Sequence, residues 1–123
     1  MIDVKPEVLK AFQMMWGLHP GAVMLIHKSR EILAVNQAAE ALGLPTGITC
    51  HSLYPSDTPC PGCMANKALN QGQAVRKTAY AQSQQCFMDG FWIPVLGEPD
   101  IYVHFGNNIT EFVRPELLPA KAE

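Results

Sequence analysis

Two periods of apolar residues alternate along the chain and divide it into elements. Val8, Leu9, Phe12, Met15 and Trp16 fall on one face of a 3.6-residue repeat, so residues 6–16 are predicted to form an amphipathic helix. Pro6 suits its first turn and Glu7 complements the positive end of its dipole. Gly17 and then His19-Pro20-Gly21 end it. Residues 22–27 and 31–35 are short β-like runs around the polar turn Lys28-Ser29-Arg30. Asn36 is placed to cap a short helix over 37–42, which Gly43 and Pro45 close. Residues 44–62 are rich in Pro and Gly and predict loop, and a helix restarts near Cys63 and runs to Gln71 before Gly72.

Strands are predicted over 74–82, 86–96 and 101–106. In the last of these Ile101, Val103 and Phe105 alternate with Tyr102, His104 and Gly106, the period of a half-buried strand. Gly97-Glu98-Pro99-Asp100 is the predicted final turn. Asp89-Gly90 is a second possible turn site, but it would make an unusually long strand before it. The turn is therefore expected at 83–85, with Gly90 inside a strand. The order of elements predicts an α+β fold, an antiparallel five-stranded sheet with short helices on one face and a flanking N-terminal helix.

Composition narrows the function classes. With 123 residues the chain is expected to be one domain. Apolar residues are 48% and charged ones 16%, too rich in core-forming residues for a disordered chain. Nine basic residues against 11 acidic ones, without a cluster of either sign, leave no electrostatic footprint for nucleic acid or an anionic membrane. No long apolar span and no leader pattern are visible, so a cytoplasmic domain is expected.

Four cysteines stand out: Cys50, Cys60, Cys63 and Cys86. Cys60-Pro61-Gly62-Cys63 has the two-residue spacing that lets both sulfurs face one tetrahedral ion, as in zinc and iron–sulfur sites. Cys50 lies in the same loop-rich stretch as a third candidate ligand. Cys86 and His51 compete for the fourth place, and spacing alone does not decide whether Cys86 returns to the others. The same residues also fit a redox reading, in which a helix N-terminus lowers the thiol pKa and Cys60 and Cys63 form a reversible disulfide. A thiol oxidoreductase would need a parallel βαβ context that this order of elements lacks. The plainest reading makes the cysteines small packing residues, in a cofactor-free protein-interaction module. His27, His104, the methionines, Trp16 and Trp92 are expected to be structural, His19 to lie exposed in its turn, and no catalytic constellation is visible.

Residues 20–112 resemble a PAS domain. Gly21 to Ile26, followed by Ile32 to Ala39 through Asn36, is similar to the first two PAS strands running into an Asn-started helix. Phe91-Trp92-Ile93-Pro94-Val95 resembles the fourth strand with its late proline. Gly106 to Glu111 resembles the family's closing Asp-Ile-Thr-Glu, with Asn108 where the acid usually stands; this departure implies a weaker cap or ion pair. The runs 47–51, 59–63 and 68–72 resemble a cysteine-bearing PAS subgroup of bacterial and archaeal sensor kinases and related signalling proteins, with Cys50, Cys60 and Cys63 as its cysteines.

The resemblance implies a sensory, non-enzymatic domain with a small interior pocket, bounded by a helix and linker over 1–19 and a tail over 113–123. It implies a homodimer through the flanking helix, for which Leu9, Phe12 and Trp16 supply an apolar stripe. The same stripe would alternatively cap the chain's own sheet. It also implies a signalling partner, either separate or an output domain such as a histidine kinase. An iron–sulfur cluster or zinc is the expected cofactor. Haem is not supported, because residues 63–72 carry no His, nor is flavin, because Cys50 is followed by His51-Ser52-Leu53-Tyr54.

Overall fold

A computed structural model describes residues 2–53, 60, 62–82 and 84–119. Helix α1 spans Pro6–Trp16, with its proline in the first turn. Strands β1 (Met24–His27) and β2 (Ile32–Val35) form a hairpin, and helix α2 (Gln37–Ala41) follows at once. A 3-10 turn over Cys50–Leu53 precedes helix α3 (Ala65–Gln71), which Gly72 closes in the left-handed conformation at φ 65°. Glycine carries no Cβ penalty there. Strands β3 (Val75–Ala81), β4 (Cys86–Val95) and β5 (Glu98–Asn108) complete one antiparallel sheet in the order β2-β1-β5-β4-β3.

The β3–β4 connection falls between the paired residues Ala81 and Cys86, so Gly90 lies inside β4. The last turn is shorter than predicted. Val95 pairs with Glu98, leaving Leu96-Gly97 as a two-residue turn with Gly97 at φ 83°. Pro99 is tolerated in β5 because β1 pairs with that strand only over Ile101–His104, so no ladder is waiting for the missing N–H.

Side chains of successive strand residues point to opposite faces, and each face carries its own apolar cluster. On the outer face Leu25, Ile101 and Val103 pack with Val23, Ala34 and Phe12 of α1. On the inner face Ile26, Trp92 and Tyr102 pack with Val75 and with Ala65 and Ala68 of α3. Both alanines are fully buried, their small side chains letting the helix approach the sheet closely.

The outer cluster settles which surface the α1 stripe covers within the chain. Phe12 is 4% exposed against the chain's own sheet, and Val8, Leu9 and Trp16 pack beside it. Burying such a ring contributes about 1.5–3 kcal/mol, so the central residue proposed for a dimer contact is already consumed. Gln13 Nε2 donates to the Val35 carbonyl at 3.0 Å, and Lys5 reaches Glu98 at 3.2 Å. The large apolar residues that α1 and its exit leave exposed are Met14, Met15 and Leu18.

Candidate functional site

The inner face receives the cysteines through a strap of backbone hydrogen bonds. After α2 the chain returns alongside β2, where Ile32 N–H donates to Ile48 O at 2.8 Å and Gly47 N–H donates to Ile32 O at 2.9 Å. Cys50 N–H then donates to Arg30 O at 2.8 Å, which pins this cysteine to the β1–β2 turn. Further along, Cys63 N–H donates to Cys60 O at 2.9 Å and closes a tight turn just ahead of α3. Cys50 and Cys63 are half-buried against the inner cluster, Cys60 is exposed, and all the cysteines are free thiols.

The three thiols lie within electrostatic reach of one another. Burial, then the neighbouring Cys63 and Cys60, push the Cys50 thiol up to about 11, against a partial opposing pull from Arg30. Burial and Cys63 push Cys60 up as well. The lowered thiol pKa expected at a helix start is therefore reversed for Cys60. Helix α3 begins only at Ala65 and is seven residues long, so its dipole acts beyond the turn while desolvation acts on it. Tyr102, 1% exposed, has its phenol pushed upward by burial and then by Cys50.

Cys86 is not brought to this group. It begins β4 opposite Ala81, whereas Tyr102 pairs with Pro94, eight residues further along the strand. Eight strand residues cover roughly 27 Å, so a lateral contact is out of reach. Cys86 is a buried packing residue. His51, beside Cys50, is 8% exposed, and its Nδ1 has no hydrogen-bond partner among the described residues.

Arg30 was hidden in what reads as a polar turn. It sits at φ 80°, is 5% exposed, and reaches under the cysteine strap. Its Nη1 donates to Lys28 O at 2.6 Å and its Nη2 to Asn66 Oδ1 at 3.0 Å, with the guanidinium 6.0 Å from the Tyr102 ring centre. Nothing in local composition separates this arginine from a solvated one; only the strap that covers it does.

The strand histidines have structural partners. His27 Nδ1 lies 2.9 Å from Ser29 Oγ. His104 Nδ1 donates to Phe91 O at 2.8 Å and the ring stacks on Trp92 at 4.8 Å, while burial lowers its pKa and favours the neutral ring. Trp92, 8% exposed, is a core residue. Asn108 keeps the cap that the missing acid would make: its Oδ1 accepts from Thr110 N–H at 3.1 Å and from Thr110 Oγ1–H at 2.6 Å.

The donor set of three thiols with an unpartnered imidazole nitrogen beside one of them is chemically suited to a zinc or iron–sulfur centre. As they stand, no three His, Cys, Asp or Glu side chains among the described residues are spaced to hold a metal ion.

Comparison with solved structures decides the architecture. A domain of an HTR-like protein from Haloarcula marismortui superposes with a TM-score of 0.57 at 21% identity, covering 74% of this chain and 99% of that one. A sensory box sensor histidine kinase from Vibrio cholerae gives a TM-score of 0.60 at 13% identity over 83% of this chain and 89% of its own. The PAS domain of nitrogen regulation protein NR(II) from Vibrio parahaemolyticus gives 0.57 at 14% identity over 79% and 96%. The chain adopts the PAS fold. Neither protein-family models nor curated protein sequences give a match. In PAS terms α1 lies over the outer face of the sheet and the cysteines lie over the inner one. No helix among the described residues is long and apolar enough to cross a membrane.

Proposed function

We propose that this PAS domain is a sensory module whose signal acts at Cys50, Cys60 and Cys63, received as a thiophilic metal ion or iron–sulfur cluster. One observation carries the reading: three free thiols stand near one another over the inner face, with Cys63 and Cys60 within electrostatic reach of Cys50 and Cys63 within reach of Cys60. A thiophilic metal ion would displace the thiol protons and take the resulting thiolates as ligands. Raised thiol pKa values do not favour a catalytic dithiol, which needs its nucleophile ionised near neutral pH. Reversible oxidation of Cys60 and Cys63 is the second reading, supported by the tight turn that joins them and by the exposure of Cys60.

The similarity to a sensor histidine kinase and to a PAS domain of a nitrogen regulation protein supports a signalling partner of the kinase type. Homodimerisation belongs to the same reading, with Met14, Met15 and Leu18 as the apolar residues a second copy would cover.

Anaerobic purification followed by elemental analysis tests the site. Bound zinc or iron that is lost in Cys50→Ser, Cys60→Ser and Cys63→Ser variants, and kept in Cys86→Ser, is the expected result. A metal-free wild-type chain that takes up neither ion on reconstitution, with every thiol equally alkylated before and after peroxide, would refute both readings.

A further inference from the structure

A cleft of about 400 Å³ opens on the outer face, between α1 and the β4–β5 turn. It stays open because the two elements face each other across small side chains. Ala11 lines it from the helix and Gly97 from the turn, at φ 83°, and a carbon added to Gly97 would meet nothing within 4 Å. Phe12, Leu25 and Val103, all buried, form its floor. Its lips are apolar and open: Met15 is 77% exposed and Leu96 fully so. A leucine at a two-residue turn, where glycine and polar residues are favoured, covers nothing in its own chain. The charged groups lining the cleft among the described residues are Lys5, Glu7 and Glu98, gathered toward the N-terminal end of α1. Lys5 Nζ meets Glu98 Oε2 at 3.2 Å, so one ammonium stands against two carboxylates and the rim keeps net negative charge. The helix dipole offsets only part of it.

We propose that this cleft binds a small amphiphilic cation, with its apolar body along Ala11 and Leu96 and its ammonium or guanidinium head between Glu7 and Glu98. The site lies across the sheet from the cysteines and is independent of what they bind. Small-molecule sites are concave and mostly apolar, with a few polar groups that fix orientation, and this cleft is at the small end of their range. From Lys5 to Trp16, which both line it, the helix axis runs about 16 Å, so an elongated ligand is accommodated. The apolar body covers Met15 and Leu96, which otherwise face water. The head joins the Lys5–Glu98 pair as a second cation, so that each carboxylate is answered by one positive charge. An anionic head meets repulsion there, since the one ammonium is already engaged.

The probes are decylammonium, decanoate and decanol, each titrated below its micelle-forming concentration into the full chain, with calorimetry giving Kd and stoichiometry. Decylammonium should bind one site per chain, about fivefold or more tighter than decanoate, the difference expected for one unit charge near the surface. Ala11→Leu fills the gap with a good helix former and should weaken decylammonium by about tenfold or more. Glu7→Gln with Glu98→Gln leaves Lys5 as the only charge of the rim, so the preference should reverse toward decanoate. Leu42→Ser removes a large apolar residue that is 73% exposed elsewhere and should leave every Kd unchanged. If circular dichroism shows Ala11→Leu unfolded, the head-group series decides. Absence of saturable binding, a wild-type chain that prefers decanoate, or an equal loss in Leu42→Ser overturns the proposal. So does an affinity that falls as the chain dimerises in sedimentation, which assigns the cleft to a second copy. None of these outcomes bears on the cysteine reading.

Discussion

Replacing Asn36 should cost more stability than any other single polar substitution in the chain. This side chain is fully buried and is the N-cap of α2. Its Oδ1 accepts from Val23 N–H at 2.9 Å and from Ala39 N–H at 3.1 Å. Its Nδ2 faces the carbonyl oxygens of Trp16, His19 and Gly21 at 3.1, 3.3 and 2.9 Å. One amide thus joins the end of α1, the entry to β1 and the start of α2. Asn36→Ala strands two buried N–H groups, each worth about 1–3 kcal/mol, and removes a cap. A total loss of about 3–5 kcal/mol follows, out of the 5–15 kcal/mol typical of a domain. In thermal unfolding the midpoint should fall by roughly 10–20 °C.

Asn36→Asp separates the two halves of the argument. It keeps the acceptor but turns an oxygen toward the three carbonyls, so the folded state favours the protonated carboxyl. Its folded pKa then lies above the unfolded value near 4, and stability is lost as pH rises past that value. The deficit relative to wild type should be large at pH 7 and smaller near pH 4, read from urea midpoints at each pH. A deficit below about 1 kcal/mol for Asn36→Ala, or one for Asn36→Asp that does not shrink in acid, would refute the reasoning.

Phe12→Ala should destabilise the chain by about 3–5 kcal/mol in chemical denaturation, because the ring fills the outer cluster. Met15→Glu with Leu18→Glu should leave stability within about 0.5 kcal/mol but convert dimer to monomer in sedimentation, since both residues are exposed. Arg76 and Thr78 hold the Asp89 carboxyl below its usual range through hydrogen bonds of 2.7, 2.9 and 2.9 Å. That contribution is present above the unfolded value near 4 and disappears as pH falls through the folded one, so Asp89→Asn should flatten the acid limb of the stability curve. Because burial and its neighbours push Cys50 up to about 11, the metal-free chain should lose stability as pH rises above about 9, where the unfolded thiol ionises first. Cys50→Ser should remove most of that alkaline slope in urea unfolding.

The elements were readable where local chemistry and period agree. Pro6, Asn36 and Gly72 mark helix ends by mechanisms that act within a few residues. The alternation through Ile101–Phe105 assigns β5 to two faces without knowledge of its neighbours. Pro99 misleads because a proline reads as a turn unless the reach of the adjacent strand is known. The cysteine loop was visible in spacing, but the exclusion of Cys86 depends on strand register. The burial of Arg30 was not visible at all, since a cation's burial is a property of the assembled sheet. The lowered thiol pKa was misjudged for the same reason: proximity to a helix in sequence says nothing about desolvation.

Tyr102 lies under the cysteine strap, while Ile101 and Val103 lie under α1. The two clusters are separated only by the thickness of one strand, and a single peptide bond joins Tyr102 to each of its neighbours. A rotation of β5 that moves Tyr102 also turns Ile101 and Val103 against the cluster that holds Phe12. Close packing on both faces therefore ties them together: the better each is packed, the less freely the strand can turn on one side alone.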